Sequence, residues 1–586
     1  MKCILNTGRT LEQGVALEAG KTSQQYYEAT ALAYVNDDDM EDLGLEENMP
    51  MEISTESGSV VVRCRKGWID RGQIFMPWGP WANAIVGSDT SGTGMPRYKG
   101  VEVEVSPTNK PITTLHDLFV EKDRMVRAVS EIPRYSPSAT TQLESKGQGE
   151  SVQTTISNVV CPFCGCLCDD VEIVTERGRI VDAVVGCELS KSRFLNWDKD
   201  RVKPAIRKDG KLVEVTLDKA IEKAAEILRK ADYPLIYGLS STEVDAQRAA
   251  INLAEMIGAT IDNTTSVCHG PTTLAAQDCG VPEMTLGEVR NRADLVIYWG
   301  CNPAEAHIRH VTRYATTPKG MFIKGGRKDR FVIHVDVRET KTAKADPRWH
   351  FVYQLANMFV KVRPGQDYEL FSALRARLRG HEVGEVAGVP ASTIDDLVNR
   401  MKTCKFGVIF FGLGLTMSSG RHMNIDAVLR LVRDLNDHTK FTILPMRGHH
   451  NVAGINHVML WTTGYPYAVN FSRGYPIYNP GEFSAVDVLA RGECDAALIV
   501  ASDPVAHFPV QAVKHLAGIP TIVVDPKMSM TSLMAEVLIP SAIAGIECDG
   551  TAYRMDGVPI RLRKVVDSAF EPDKLILDRI IERVRS

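Results

Sequence analysis

Apolar and polar positions follow two different periods along this chain, and the change from one to the other divides it. Up to about residue 128 the apolar positions come in short alternating stretches such as Glu52–Ser54, Val60–Arg63 and Val101–Val105, separated by Gly, Pro and Asp clusters. Alternation of this kind predicts half-buried strands, and many short strands between turn residues predict a small β-barrel. From Ser130 to about Ser157 the run SEIPRYSPSATTQLESKGQGESVQTTIS has no apolar period, which predicts a flexible linker over residues 129–156. Beyond it, apolar runs at Leu235–Gly238, Leu295–Gly300, Phe331–Val337, Val408–Leu413, Thr442–Leu444, Ala496–Ala501 and Thr521–Val524 predict buried parallel strands. Amphipathic stretches at Leu217–Lys230, Val244–Ile257, Ile425–Leu435 and Leu575–Val584 predict helices between or after them. This alternation predicts two doubly wound α/β sheets with ligands at the carboxyl ends of their strands.

The segment CPFCGCLCDD interrupts the change of texture and brings in chemistry. Cys161, Cys164, Cys168 and Cys187 are spaced C-x2-C-x3-C-x18-C, three close thiolates and one remote, as an iron–sulfur cubane requires. A structural zinc site would pair its cysteines as two short C-x2-C units, and this spacing does not. Cys166, a fifth thiol in the run, reads as a spectator. A protein with such a cluster moves electrons.

Further candidates follow predicted strands. Cys268 and His269, in SVCHGP, place a thiol beside an imidazole, a pair suited to metal binding and proton movement in a redox protein but also to simple core packing. WGCNPAEAH, FFGLGLTMSSG and VASDPVAHFP are turns able to offer backbone N–H groups to phosphate. None has the G-x-G-x-x-G spacing, so each alone reads equally as an ordinary turn, and three together point to a large nucleotide-bearing ligand. VDVRETKTA adds Asp336 and Arg338 at a strand end, where an acid receives a sugar or base and an arginine meets phosphate. PMRGHHNVAG places Arg447 beside two histidines, and its guanidinium suits a carboxylate substrate or a surface salt bridge.

Composition narrows the partners. The 586 residues predict three or four domains; 68 basic against 73 acidic residues, net charge -5, give no nucleic-acid or membrane-surface footprint. Five of the thirteen cysteines crowd into residues 161–187 and the others lie in apolar stretches, as in a reducing interior. With no secretory leader pattern and no run of about 18 apolar residues, the sequence predicts a soluble cytoplasmic protein.

Together these motifs resemble the formylmethanofuran dehydrogenase family, within the molybdenum and tungsten bis-pyranopterin oxidoreductases. Residues 1 to about 128 resemble its small D-type polypeptide through LNTGRTLEQG, FMPWGPWANAIV and SDTSGTGMPRYKGVEVEV. Residues from about 157 onward resemble its catalytic B-type polypeptide through CPFCGCLCDD, VCHGPT, IYWGCNPAEAHIRH, VDVRETKTA, RGHHNVAG and CDGTAYRMDGVP. The order departs from the usual pattern, because the D-type part precedes the B-type part in one chain whereas the barrel closes the chain in related enzymes. The resemblance implies a double-psi-type, molybdopterin-dinucleotide-binding barrel at 1–128 and a [4Fe–4S] domain at 157–212. It further implies two interleaved α/β metallopterin domains at 213–586, of the formate dehydrogenase and DMSO reductase type.

For the site, the resemblance implies one [4Fe–4S] cluster on Cys161, Cys164, Cys168 and Cys187, and Cys268 as protein ligand of one tungsten or molybdenum ion. His269 and Arg447 would line the substrate pocket. Two pyranopterin guanine dinucleotides would be held by Gly300, Asn302, His307, Asp336, Arg338, Thr340, Gly412, Gly414, Asp503 and Thr551, with Arg9 and Asn83 covering them from the barrel and Lys191 between cluster and pterin. The implied activity is reversible reduction of CO2 to formate, the first step of methanogenesis from CO2. The implied partners are an amidohydrolase subunit, a C-type polypeptide of the same complex, ferredoxin- or polyferredoxin-like electron carriers and heterodisulfide reductase. A cytoplasmic formate dehydrogenase and a non-catalytic cluster-bearing subunit remain alternatives.

Overall fold

The computed structural model describes residues 1–118, 132–135, 153–344 and 355–586, so most of the expected linker lies outside the described residues. Six strands close a barrel in the order β1 (Lys2–Gly8), β5 (Gln73–Pro77), β2 (Leu32–Val35), β4 (Gly58–Lys66), β3 (Pro50–Thr55), β6 (Lys99–Pro107). The alternation that predicted β3, β4 and β6 sets their inward faces: Met51, Ile53, Val60, Val62, Cys64, Val103 and Val105 are all buried in one core. Closure of β6 onto β1 leaves the barrel without an exposed edge.

Within the expected linker, Ile132 is buried, Arg134 forms a β-bridge to Val202 and an ion pair with Asp200, and Tyr135 packs edge-on against Phe570 at 4.8 Å. An apolar side chain, an aromatic one, a backbone bridge and an ion pair dock this short piece where the composition alone predicted none. The chain then forms an antiparallel meander of β7 (Gln153–Val159), β8 (Val171–Glu176) and β9 (Arg179–Val184). Its β7–β8 loop holds four of the clustered cysteines, and Cys187 starts the helix Glu188–Leu195.

The remainder builds two sheets. A five-stranded parallel sheet runs β16 (Met358–Lys361), β15 (Phe331–Asp336), β14 (Leu295–Trp299), β17 (Phe406–Phe411), β18 (Lys440–Pro445). A nine-stranded sheet has the parallel centre β23 (Val537–Pro540), β22 (Thr521–Asp525), β21 (Ala496–Val500), β12 (Pro234–Gly238), β13 (Thr260–Asn263). The antiparallel pairs β10 (Ala205–Lys208) with β11 (Lys211–Glu214) and β19 (Val469–Asn470) with β20 (Ile477–Tyr478) flank it. All seven predicted strands fall in these two parallel centres, and the predicted helices form at Leu217–Lys230, Val244–Met256, Arg421–Leu435 and Asp573–Arg585. The five-stranded unit is inserted in sequence between β13 and β19, so the two α/β units are interleaved.

The two parallel centres are related by a permutation, with strand order 3-2-1-4-5 in the five-stranded sheet and 2-1-3-4-5 in the other. In each, the chain order reverses beside the central strand, between β14 and β17 in one and between β21 and β12 in the other. Such reversals open a crevice at the carboxyl ends of the strands, where ligands of open α/β sheets bind.

Candidate functional site

A cavity of about 360 Å³ opens at these two crevices, walled by both sheets, the barrel and the cysteine-bearing unit. Its donors include Arg9, Lys21 and Lys99 from the barrel, Arg193 from the helix after Cys187, and Cys268 from the loop after β13. Several buried polar atoms on this wall have no hydrogen-bond partner in the protein: Gln13 Oε1, Trp78 Nε1, Arg193 Nε, His450 Nε2 and Ser502 Oγ. Orphaned buried donors and acceptors are costly, so these five, supplied to one cavity by the barrel, the helix after Cys187 and both sheets, suit a polar ligand.

Cys268 sits in a tight turn, with its amide N–H and that of Gly270 donated to the Thr265 carbonyl at 3.0 and 2.6 Å. Burial pushes its thiol up to about 11 against the opposing charges of Arg447 and Arg9. His269 Nδ1 shares a 3.0 Å hydrogen bond with Thr272 Oγ1, and its Nε2 has no partner. Burial and the Arg447 charge push it down to about 3, so the imidazole is neutral near pH 7 rather than titrating there. The Arg447 guanidinium donates from Nη1 to Asn456 Oδ1 at 2.9 Å, and His307 Nε2–H donates to the Arg447 carbonyl at 2.8 Å.

The two sheets present matching turns to the cavity. After β14, Gly300 takes φ +56° and its N–H reaches the Val335 carbonyl at 2.9 Å; after β21, Ala501 takes φ +47° and reaches Val524 at 2.8 Å. Asn302-Pro303 then matches Asp503-Pro504, and the hydroxyls of Thr342 and Thr531 accept from Ala304 N at 3.2 Å and Val505 N at 3.3 Å. Asp336, at the end of β15, corresponds to Asp525 at the end of β22, and both line the cavity. Burial pushes the Asp525 carboxyl up to about 7. The cavity thus has two equivalent halves, each with a positive-φ turn and a strand-end carboxylate.

The glycines of the first half are fixed by close packing. A Cβ on Gly300 would stand 2.9 Å from Gly414 Cα, and one on Gly412 would stand 2.6 Å from Cys301 Cβ. The halves differ in charge: Asp503 accepts from Lys21 Nζ at 2.9 Å and from the Met530 and Thr531 amides, whereas its counterpart Asn302 is neutral and bonds Glu305 and Thr342.

The cysteine loop lies against the same site. Cys161, Cys164, Cys166, Cys168 and Cys187 line one small pocket closed by Ile308 and Arg309. Burial, then the neighbouring thiolates, push Cys161 up to about 12; burial and Cys164 push Cys187 to about 11. Ionising this set together demands a multiply charged cationic centre, and among the described residues no group of three or more His, Cys, Asp or Glu is placed to hold a metal ion. Cys164 bridges backbone to backbone with His449, and a Cβ on Gly165 would stand 2.6 Å from the Arg447 carbonyl, so the loop packs directly on the Arg447 segment.

Residues 3–102 match the family model for the molydopterin dinucleotide binding domain. The B polypeptide of a tungsten-containing formylmethanofuran dehydrogenase 2 from Methanocaldococcus jannaschii is 50% identical over 438 residues, 73% of this chain and 98% of that protein. The chain belongs to the formylmethanofuran dehydrogenase family. Protein FwdD of the same organism is 42% identical over 127 residues, 21% of this chain and 96% of its own length. This family member therefore joins in one chain what M. jannaschii has as two proteins. Among solved structures, the formyltransferase/hydrolase complex from Methylorubrum extorquens, crystallised with methylofuran, is similar at TM-score 0.53 and 26% identity over 65% of this chain and 98% of that one.

Of the residues that the family resemblance implied, Arg9, Cys268, Gly300, Asn302, His307, Asp336, Arg338, Thr340, Gly412, Gly414 and Asp503 line the cavity. Arg338 also lays its guanidinium 4.4 Å over the barrel's Phe75 ring, and Thr340 Oγ1 bonds His334 Nε2 at 3.0 Å. Asn83, Lys191 and Thr551 are not part of the cavity wall, and neither are His269 and Arg447, the two residues expected to line a substrate pocket: both lie buried behind it, beside the lining residues Cys268, Met446 and Gly448. Asn83 is buried in the barrel with neither end of its amide partnered, Lys191 follows Cys187 on its helix, and Thr551 belongs to the hairpin Gly550–Leu562, its carbonyl bonded to Asn451. Sequence reasoning missed Lys21, Lys99, Arg193, Asp525 and Lys527. The likeness of WGCNPAEAH to VASDPVAHF, followed in each case by a strand ending in Asp, was the signal that would have found Asp525.

Proposed function

We propose that this chain reduces CO2 to formate with electrons relayed from the five-cysteine pocket, as the joined D-type and B-type parts of a formylmethanofuran dehydrogenase. The observation that carries this reading is the convergence, on one cavity, of Cys268, the residues on either side of Arg447, and Pro162 and Phe163 of the cysteine loop, which bridges to the same segment through Cys164 and His449. Cys161, Cys164, Cys168 and Cys187 would hold a [4Fe–4S] cluster, and Cys268 a tungsten or molybdenum ion between two pyranopterin guanine dinucleotides. The two equivalent half-sites, with Asp336 and Asp525 at their strand ends, account for a pair of dinucleotides, and Lys21, Lys99 and Arg193 for their phosphate charge.

When bound, the metallopterin group supplies two-electron chemistry, and the protein supplies orientation, charge and exclusion of water. Arg447 spends one N–H on Asn456 and keeps the others for the carboxylate that develops as CO2 bends. His269, a neutral imidazole next to Cys268, would hydrogen-bond substrate or take part in moving the proton gained. His307 fixes the backbone of Arg447 from below.

Partners follow from the same reading: an amidohydrolase subunit that takes the formate, a C-type polypeptide of the same complex, and ferredoxin- or polyferredoxin-like carriers, with heterodisulfide reductase as a source of electrons. Among the described residues no helix is long and apolar enough to cross a membrane. A cytoplasmic location belongs to the proposal. The deciding test is elemental analysis of anaerobically purified protein combined with CO2 reduction. About four irons and one tungsten or molybdenum per chain with activity supports the reading; iron alone without activity leaves a cluster-bearing electron-transfer protein.

A further inference from the structure

The side chain of Asn456 joins two parts of the site that the chain brings together from distant segments. Its Oδ1 accepts from Arg447 Nη1 at 2.9 Å and from Thr265 Oγ1 at 3.0 Å, while its Nδ2 donates to the Pro466 carbonyl at 3.0 Å. Asn456 is only 9% exposed and its helix, Val452–Thr463, fixes its direction. Thr265 is equally committed, because its carbonyl takes the amide N–H groups of Cys268 and Gly270 and so shapes the turn that presents the Cys268 thiol. One unbroken chain of hydrogen bonds thus runs from the Cys268 turn through Thr265 and Asn456 to the Arg447 guanidinium. Asn456 is the only side chain among the described residues that the guanidinium donates to; the Glu283 carboxylate attracts it through charge without a hydrogen bond, so Asn456 supplies the directional contact.

We propose that Asn456, through Thr265, is a positioning residue that sets the distance and angle between the Arg447 fork and the Cys268 sulfur. The inference rests on the reading of Arg447 as the group that orients the substrate. Its chemistry asks for Asn at 456. A carboxylate would neutralise Arg447 and weaken its hold on an anion, and an aliphatic side chain would free the guanidinium to swing.

The test uses the holoenzyme and two readouts: the KM for formate with an artificial electron acceptor, and the equilibrium affinity for azide, an anion isoelectronic with CO2, by calorimetry. Asn456→Ala is expected to weaken azide binding and raise the formate KM by about tenfold, the scale of one hydrogen bond to a charged group. Iron and tungsten or molybdenum per chain should not change. Thr265→Val, the milder change should Asn456→Ala fail to fold, is expected to act in the same direction, with Thr265→Ser restoring the wild-type values. In an Arg447→Ala background Asn456→Ala should add less than about twofold, because the two act as one unit. Wild-type azide affinity in Asn456→Ala beside a weakened Arg447→Ala overturns the role of Asn456 alone. Wild-type affinity in Arg447→Ala overturns the substrate reading, and this inference with it.

Discussion

Glu18 is the point at which the barrel is pinned to the rest of the molecule, and its replacement measures how firmly. Its carboxylate, 4% exposed, accepts from Arg193 Nη1 at 3.0 and 3.2 Å and stands 3.6 Å from Lys527 Nζ. Burial alone would raise its pKa, but Arg193 and Lys527 outweigh burial and lower it. Glu18→Gln keeps the shape and one acceptor but removes the nearest counter-charge of two buried cations. Removing one member of a buried pair costs about 3–5 kcal/mol, and the retained amide oxygen places this case at about 3. That is about a hundredfold in an association constant.

The assay introduces a protease site within residues 136–150, cuts the chain, and measures dissociation of the barrel from the remainder. The cut wild type should hold its barrel about a hundredfold more tightly than cut Glu18→Gln at pH 7. The difference has a defined pH dependence. A carboxyl whose folded pKa is depressed contributes stability above its unfolded value near 4.5, and the contribution is lost as pH falls through the lower folded value. The gap between the two proteins should therefore close in acid. Equal barrel retention at pH 7 would refute the electrostatic account of this interface.

Arg447→Ala should lower CO2 reduction about a hundred- to thousandfold with iron and pterin content retained, since it removes one preorganised donor; near-normal turnover refutes its role. Cys164→Ser should lose cluster iron and the electron supply, whereas Cys268→Ser should keep the iron and lose activity; metal analysis beside turnover separates the two. Gly300→Ala, at φ +56° and 2.9 Å from Gly414 Cα, should destabilise the first half-site by about 2–4 kcal/mol and lower the pterin content of the purified protein. A full pterin complement in that variant would mean that the turn is not part of a cofactor site.

The strands of both parallel centres were legible because burial on two faces leaves uninterrupted apolar runs, as in Leu295–Trp299, which is buried throughout. The barrel strands were legible through alternation. The short piece Ile132–Tyr135 was not, because two anchoring side chains make no period. In the site, Cys268 and the glycine turns stood out by local motif. Lys21 and Lys527 did not, because each gains its meaning from a carboxylate about 500 residues away, Asp503 for one and Glu18 for the other. Asn456 lies in the middle of a helix, where nothing in the sequence separates a structural amide from one that holds an arginine.

The same long separations bear on how the protein is made. β12 pairs with β21, whose residues follow some 260 positions later, so the nine-stranded sheet cannot close while the inserted unit is being synthesised. The barrel's partners Asp503 and Lys527 emerge roughly 25–100 s after Glu18 and Lys21 at ordinary ribosomal rates of about 5–20 residues per second. Through that interval the barrel's docking charges have none of these partners, and residues 501–529 then complete the walls of the cavity.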